Sequence, residues 1–384
     1  MYKTLQSLIN TSNYDVFLDL FPILSKLKDT PQDSFYHAEG DVWTHTKMVL
    51  DSLRENHINK PFDQYSLEKQ FIIFYSALFH DIAKPVCTKH EGTRITSKGH
   101  SKLGSFDTRK ILYELDIPFQ VRESICNIIS THQVPFFAFS EHNNLTPEYM
   151  AYDLSYQLPL DCLLEVAYAD MNGRHFVDKQ NALDDIKLFH EVISEENCLT
   201  RPYAFPDDIT KVEYFLKKNI ANNYPFYKET GSNVIMLSGL PCSGKSSVRN
   251  TQYKDLPVIS FDDIKEELGV KQGDNTGQVY QHAINEAKKL LRKHESFVWD
   301  STNITNLMRN KTLSLLYDYN AHVKMVYKEK HLHTLLKDNS TRDTIPNAKI
   351  LGMLNKWNMI FPNEVHDVEY LVNDLTLKHN FLVD

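Results

Sequence analysis

Gly239-Leu240-Pro241-Cys242-Ser243-Gly244-Lys245-Ser246 follows the apolar run Asn233–Ser238. The pattern G-x-x-x-x-G-K-S at the end of a buried strand is a phosphate-binding loop. Working outward, short apolar runs at Val234–Ser238, Val258–Phe261, Phe297–Asp300 and Val323–Tyr327 alternate with amphipathic segments. Strands alternating with helices predict a parallel sheet with helical crossovers over residues 231–384. Upstream the pattern changes. Over residues 1–200 apolar residues recur at spacings of three and four, as in Phe71, Phe74, Leu78, Phe79 and Ile82, which predicts an all-α domain. Residues 201–230, punctuated by Pro202 and Pro206, read as a connector with one short helix.

The chain has 384 residues, 42% hydrophobic and 24% charged, which is ordinary for a soluble globular protein of two or three domains. Its five cysteines, Cys87, Cys126, Cys162, Cys198 and Cys242, are scattered and form no C-x-x-C, so reduced thiols and a cytoplasmic location are expected. No signal peptide or membrane-length apolar stretch is visible. The net charge is −8. A polyanion must then be gripped by local Lys and Arg, which argues against tracking along duplexes and for handling an end or a small phosphate ester.

In the first half, His45 lies in the stripe Val42, His45, Val49, Leu53; His132 follows Ile125, Ile128, Ile129; and Asp170 follows Leu163, Val166, Ala167. A lone histidine on an apolar face is usually a satisfied core residue. Several metal-capable side chains on buried faces of separate helices are costly unless something satisfies them together. A shared cation would satisfy His45, His80, Asp81 and Asp170, with His100 and His132 as two more ligands, and imidazole plus carboxylate suits Mn, Fe, Co, Ni or Zn. Lys84, four residues after His80 and read as sharing its helix face, and Arg174, four after Asp170, would hold a substrate phosphate beside the ion. Such a site would perform metal-assisted hydrolysis. His37, His57, His90, His142 and His175 lie off these stripes and read as loop or surface residues.

Asp41-Val42-Trp43-Thr44-His45-Thr46, Phe79-His80-Asp81-Ile82-Ala83-Lys84-Pro85, Gly99-His100-Ser101 and Ala169-Asp170-Met171-Asn172-Gly173-Arg174 resemble, in order, the HD phosphohydrolase superfamily. The variant is similar to the HD domain fused to some bacterial tRNA nucleotidyltransferases. The resemblance implies His45, His80, Asp81 and Asp170 on a first divalent metal, with His100 and His132 completing a second site.

In the second half, backbone N–H groups of the loop 239–246, with Gly239, Ser243, Gly244, Ser246 and Ser247, would cradle an NTP. Lys245 would sit on the β/γ-phosphates and Ser246 on Mg²⁺. Asp262 of Ser260-Phe261-Asp262-Asp263-Ile264-Lys265 ends the second strand, where an acceptor hydroxyl would be deprotonated; a helix cap is the plain alternative for this Asp pair. Lys265 would bind an acceptor phosphate. Asp300 and Asn303, in Asp300-Ser301-Thr302-Asn303, face the same crevice, with Mg²⁺ support or loop support left open for Asp300. Arg342, before Asp343-Thr344-Ile345-Pro346, sits on a hairpin that would close over the transferred phosphate. This set resembles the 5′-hydroxyl polynucleotide kinases of bacteria and phages, with their phosphate loop, Asp-Asp-x-Arg, D-x-T-N and N-x-x-R segments. The resemblance implies Asp262 as general base, Lys245 and Arg342 on the NTP, and Arg309 on the acceptor side. Lys265 stands where the family carries arginine, keeping charge but losing bidentate geometry.

The two halves together resemble bacterial and phage end-healing enzymes. That implies removal of 2′,3′-cyclic, 2′- or 3′-phosphates, phosphorylation of 5′-OH ends of RNA or DNA, and a separate ligase downstream. Two other readings remain: an HD nucleotidase joined to a small-molecule (nucleoside) kinase, and a nucleotide-sensing HD unit that regulates a kinase.

Overall fold

The computed structural model describes residues 1–270, 276–342 and 345–378, which divide into two compact units: one from Met1 to Tyr203 and one from Ala204 on. The first unit is helical. Asp41 caps the helix Val42–Glu55 by accepting from the Thr44 amide at 2.7 Å. Val42, His45, Val49 and Leu53 all face inward. The helix Leu67–Phe79 is buried from Phe71 onward, as its unbroken apolar run requires. Phe119–Thr131 and Leu160–Asn172 pack on it and complete a single core.

One small β element interrupts the helices. Strands β1 (Lys89–Glu91) and β2 (Arg94–Thr96) pair antiparallel across Gly92, whose φ of +65° suits the tight turn. The sequence expectation of an all-helical first half did not include this hairpin.

Helix packing near His45 and Asp170 is close. A Cβ added to Gly173 would lie 2.9 Å from the Val49 backbone nitrogen and 3.1 Å from its Cα. Glycine therefore sets how near the end of Leu160–Asn172 approaches Val42–Glu55. Gly173→Ala is expected to cost about 1–3 kcal/mol, because backbone must shift to admit the methyl group. Urea unfolding monitored by circular dichroism checks this, and an unchanged midpoint would show the contact to be slack.

The second unit holds a six-stranded sheet in the order β4-β5-β3-β6-β7-β8: β3 (Asn233–Ser238), β4 (Val258–Ser260), β5 (Phe297–Asp300), β6 (His322–Glu329), β7 (Asp367–Val372) and β8 (Leu375–Leu377). All neighbours are parallel except the β7–β8 edge pair. Strand β5, between β4 and β3, is buried throughout, consistent with a sheet covered on both faces. The register aligns Leu237, Ser260 and Asp300, so the ends of three strands meet at one edge. Val248, from the helix Lys245–Gln252 that follows the phosphate loop, packs on Leu237, Val298, Val326 and Leu371.

The helix Asp208–Phe215, within the stretch read as a connector, is bound into this unit. Lys211 Nζ donates to the His366 carbonyl at 3.2 Å, Thr210 Oγ1 accepts from the Phe226 amide at 2.8 Å, and Lys228 pairs with Glu213. Among the described residues no helix is long and apolar enough to cross a membrane. The five cysteines are free thiols.

Candidate functional site

In the first unit the six residues singled out from the sequence come together. His45 projects from Val42–Glu55, His80 caps the end of Leu67–Phe79, His100 opens His100–Glu114, His132 caps Phe119–Thr131 and Asp170 lies in Leu160–Asn172. Asp81 follows in the turn after His80. His45 Nε2 is 3.0 Å from Asp170 Oδ1 and 3.3 Å from His80 Nε2, and His80 Nε2 is 3.1 Å from Asp81 Oδ2. The wider pairs, His45 Nε2–Asp81 Oδ2 and His80 Nε2–Asp170 Oδ1, are 3.8 and 3.9 Å apart. Metal–ligand bonds of about 2.1 Å place neighbouring ligand atoms about 3.0–3.4 Å apart; His45, His80 and Asp81 can offer ligand atoms to one ion, and Asp170 Oδ1 lies beside the two imidazoles.

The remaining ring nitrogens fix which atoms face the centre. His80 Nδ1 lies 2.7 Å from the Ala77 carbonyl, His100 Nδ1 2.8 Å from Ser97 and His132 Nδ1 2.8 Å from Ile129. A carbonyl can only accept, so each of these Nδ1 atoms carries a proton and Nε2 is the ring nitrogen turned inward. His45 Nδ1 lies 3.0 Å from Glu39 Oε1. Carboxylate or carbonyl support behind an imidazole is the arrangement that orients metal-bound histidines.

A second group shares Asp81. Its Oδ1 is 3.2 Å from His100 Nε2, and Asp81, His100 and His132 can contribute ligand atoms to one ion. His132 Nε2 is fully buried and has no hydrogen-bond partner, with Asp170 Oδ2 only at 4.0 Å. An orphan buried acceptor costs about 1–3 kcal/mol, which a cation would recover. Burial opposes the charged forms of Asp81 and Asp170. The imidazole and cationic groups beside them, His80 and Lys84 for Asp81 and Arg174 and His45 for Asp170, outweigh it and hold both carboxyls well below the usual range. Burial depresses His132 to about 3, so its ring is neutral at any ordinary pH.

Lys84 and Arg174 reach the same centre, as partners of the acids. Lys84 Nζ lies 2.7 Å from Asp81 Oδ2, and Arg174 grips Asp170 through Nε at 3.0 Å and a terminal nitrogen at 2.6 Å. The shared helix face expected for His80 and Lys84 is corrected: the helix ends at Phe79, residues 80–83 form a turn, and Lys84 begins a new four-residue helix. Pro85, which cannot donate a backbone hydrogen bond, is tolerated only in such a first turn.

Sequence reasoning missed Glu39 and His37. Glu39 Oε1 is 2.7 Å from His37 Nδ1 as well as 3.0 Å from His45 Nδ1. Both residues sit in a loop where no periodicity marks an inward face. Burial lowers His37 to about 3 despite that carboxylate.

In the second unit the loop has the shape its glycines demand. Gly239 has φ +145°, and a Cβ there would meet the Lys328 carbonyl oxygen at 2.3 Å. Gly244 has φ +104° and opens the helix Lys245–Gln252, with the exposed Ser246 and Ser247 in its first turn. Lys245 Nζ donates to the carbonyls of Gly239 at 2.9 Å and Leu240 at 3.1 Å, curling the loop around its own cation. Burial lowers the Lys245 pKa, and Asp300 and Asp262 resist this. Ser243 Oγ is buried without a hydrogen-bond partner.

Asp300, at the end of β5, pairs with Arg249 at 3.1 Å; burial raises its carboxyl against the pull of Lys245 and Arg249. Arg249, one turn beyond Lys245, was not singled out from the sequence. Ser260 caps the helix Phe261–Glu267 by accepting from the Asp263 amide, so neither aspartate is spent as the cap. Asp262 is left 89% exposed and paired with Lys265 at 2.7 Å. Arg342 ends the helix Leu332–Arg342 on the surface, and the adjoining Asp343 and Thr344 lie outside the described residues. Asn339 of that helix touches the loop through Cys242 Sγ at 3.5 Å.

Two expectations are corrected. Arg309 is fully buried and saturated: it grips Glu364 through Nε at 2.8 Å and a terminal nitrogen at 2.9 Å, and donates to the carbonyls of Asn303, Asn358 and Met359. It holds loops together and has no donor left for an acceptor strand. Asn303 is also turned inward, its amide donating to the Leu237 carbonyl at 2.7 Å.

A buried histidine–aspartate centre on a helical unit, followed by an α/β unit with a phosphate loop, is what the fold defines. Residues 234–355 match a protein-family model, AAA_33, described as an AAA domain. The second unit is thus a P-loop domain built to bind NTP. A candidate kinase from Chloroflexus aurantiacus aligns with a TM-score of 0.33 at 14% identity, over 38% of this chain and 88% of that one. No curated protein sequence matches the chain.

Proposed function

We propose that the chain heals broken nucleic-acid ends, most plainly RNA. The first unit removes a 2′- or 3′-phosphate or opens a 2′,3′-cyclic phosphate, and the second phosphorylates a 5′-hydroxyl. The observation that carries the reading is the convergence of inward Nε2 atoms and two carboxylates in a chain that also bears a complete phosphate loop.

His45, His80, Asp81 and Asp170 would hold a first divalent cation, and His100 and His132, with Asp81, a second. When bound, such a cation (Mn, Co, Ni, Zn or Fe) supplies Lewis acidity and makes a nucleophilic hydroxide available near neutral pH. Lys84 and Arg174, paired with the ligand acids, transfer part of their hydrogen bonding to an arriving phosphate. Glu39 keeps His45 oriented.

In the second unit Gly239, Ser243, Gly244, Ser246 and Ser247 cradle the triphosphate with Mg²⁺ on Ser246, and Lys245 and Arg342 neutralise the transferring phosphoryl group. Asp262 accepts the proton of the attacking hydroxyl, and Lys265 releases Asp262 to bind an acceptor phosphate. Asp300 is placed to support Mg²⁺. Covalent tethering raises the effective concentration of the second site once one end is engaged.

The test supplies a 5′-OH, 3′-phosphate oligoribonucleotide with γ-labelled ATP and Mg²⁺ to the intact protein. Label on the 5′ end and release of inorganic phosphate from the 3′ end are expected. No transfer to any oligonucleotide would overturn the kinase reading, and transfer to nucleosides alone would move it to a small-molecule kinase.

A further inference from the structure

We propose that Phe35 and Tyr36 form a stacking platform for an unpaired nucleobase whose phosphate occupies the histidine–aspartate centre; this rests on the phosphoesterase reading above. Residues 32–39 are pinned to that centre at both ends. Gln32 Oε1 accepts from Lys84 Nζ at 2.7 Å. At the other end Glu39 Oε1 lies 3.0 Å from His45 Nδ1, and its Oε2 accepts from the His175 amide at 2.9 Å.

Between these anchors Phe35 is 53% and Tyr36 39% exposed. Large rings that merely cover a core are buried; these two stand on a fixed segment and face solvent. Their centroids lie 4.9 Å apart with planes at 85°. The guanidinium of Arg94 sits 6.0 Å from the Phe35 centroid and 5.1 Å from that of Tyr36, braced by Asp33 at 2.6 Å. Tyr36 in turn touches Phe176, two residues beyond Arg174, at 5.7 Å.

Each ring is three residues from an anchor, so at most about 10 Å of backbone separates it from Gln32 or Glu39, whose side chains lie against Lys84 and His45. Aromatic faces with an adjacent arginine take an unpaired base, whereas bases stacked in a duplex offer no free face. Lys84 and Arg174 would meet the phosphate of the same nucleotide. The chain's net charge of −8 leaves such a local cluster as the means of holding a polyanion. The platform favours a single-stranded end, gripped by its last base.

The experiment measures affinity of the full-length, metal-supplied protein for a dye-labelled oligonucleotide ending in a non-hydrolysable 3′-phosphonate, by fluorescence anisotropy. The terminal nucleotide is either base-bearing or abasic. Stacking of one base is worth about 1–3 kcal/mol, so the base-bearing probe is expected to bind about 5- to 150-fold tighter. The Phe35→Ala/Tyr36→Ala protein should lose most of that ratio, with metal content and circular dichroism showing an intact fold. A ratio near one in the wild type, or a ratio kept in the double variant, overturns the platform. A free nucleoside 3′-phosphonate that competes as well as the oligonucleotide would keep the platform and overturn the polymer end as its occupant. Phosphate release from a hydrolysable 3′-phosphate probe is scored separately. If none occurs the phosphoesterase reading fails, while the affinity ratio still decides the platform.

Discussion

Lys245→Ala is expected to lower NTP-dependent phosphoryl transfer about 10³-fold, with the metal content of the first unit unchanged. The Lys245 ammonium is held by the carbonyls of Gly239 and Leu240 in a desolvated loop. A preorganised cation in such a place stabilises charge at no reorganisation cost when the phosphoryl group moves, and removing one preorganised donor from an active site costs about 10²–10³-fold. Losing a full charge belongs at the upper end. Lys245→Arg should rescue little, because the planar guanidinium cannot replace a point charge between two carbonyls. Transfer of label from γ-labelled ATP measures both variants. Activity within tenfold of wild type in Lys245→Ala would mean that the loop is not the site of phosphoryl transfer.

The second large effect belongs to Asp81. Its two oxygens face different partners: Oδ2 lies beside His80 and Lys84, Oδ1 beside His100. One carboxylate thus serves both candidate cation groups. Asp81→Asn preserves shape but removes the charge that offsets Lys84 and any bound ion. Losing an outer partner of a metal ligand costs about 10–100-fold in metal affinity, and losing a shared ligand should cost more than about 10²-fold. Bound transition metal, measured by elemental analysis after desalting, should fall from stoichiometric to trace. Release of phosphate from a 3′-phosphate oligonucleotide should fall with it, while kinase activity persists. Kinase activity that collapses or rises in step with metal loss would favour the view of the first unit as a regulator.

The sequence exposed most of both sites because periodicity and a contiguous motif each carry geometric information. His45, His132 and Asp170 sit in phase with apolar neighbours, and all three are buried where that phase directs them. The phosphate loop is legible because its glycines are dictated by backbone geometry: a Cβ at Gly239 would lie 2.3 Å from the Lys328 carbonyl oxygen. What escaped reading lacks such phase. Glu39 and His37 lie in a loop, and their contacts with His45 come from long-range packing. Arg309 looked available because most of what fills its donors lies 49–55 residues away in sequence, at Asn358, Met359 and Glu364. Strands β7 and β8 fall in the final stretch, which carries no motif, yet β7 extends the sheet beside β6. The hairpin β1–β2 has three-residue strands, too short to show alternation.

A cation at the crossing of five elements is tested most directly by anomalous diffraction from crystals grown with Mn²⁺, Co²⁺, Ni²⁺, Zn²⁺ or Fe²⁺. The predicted result is an anomalous peak about 2.0–2.2 Å from His45 Nε2, His80 Nε2 and an oxygen of each of Asp81 and Asp170. A centre that stays without a peak for every ion, its imidazoles bonded only to carboxylates and its carboxylates only to Lys84 and Arg174, would contradict it.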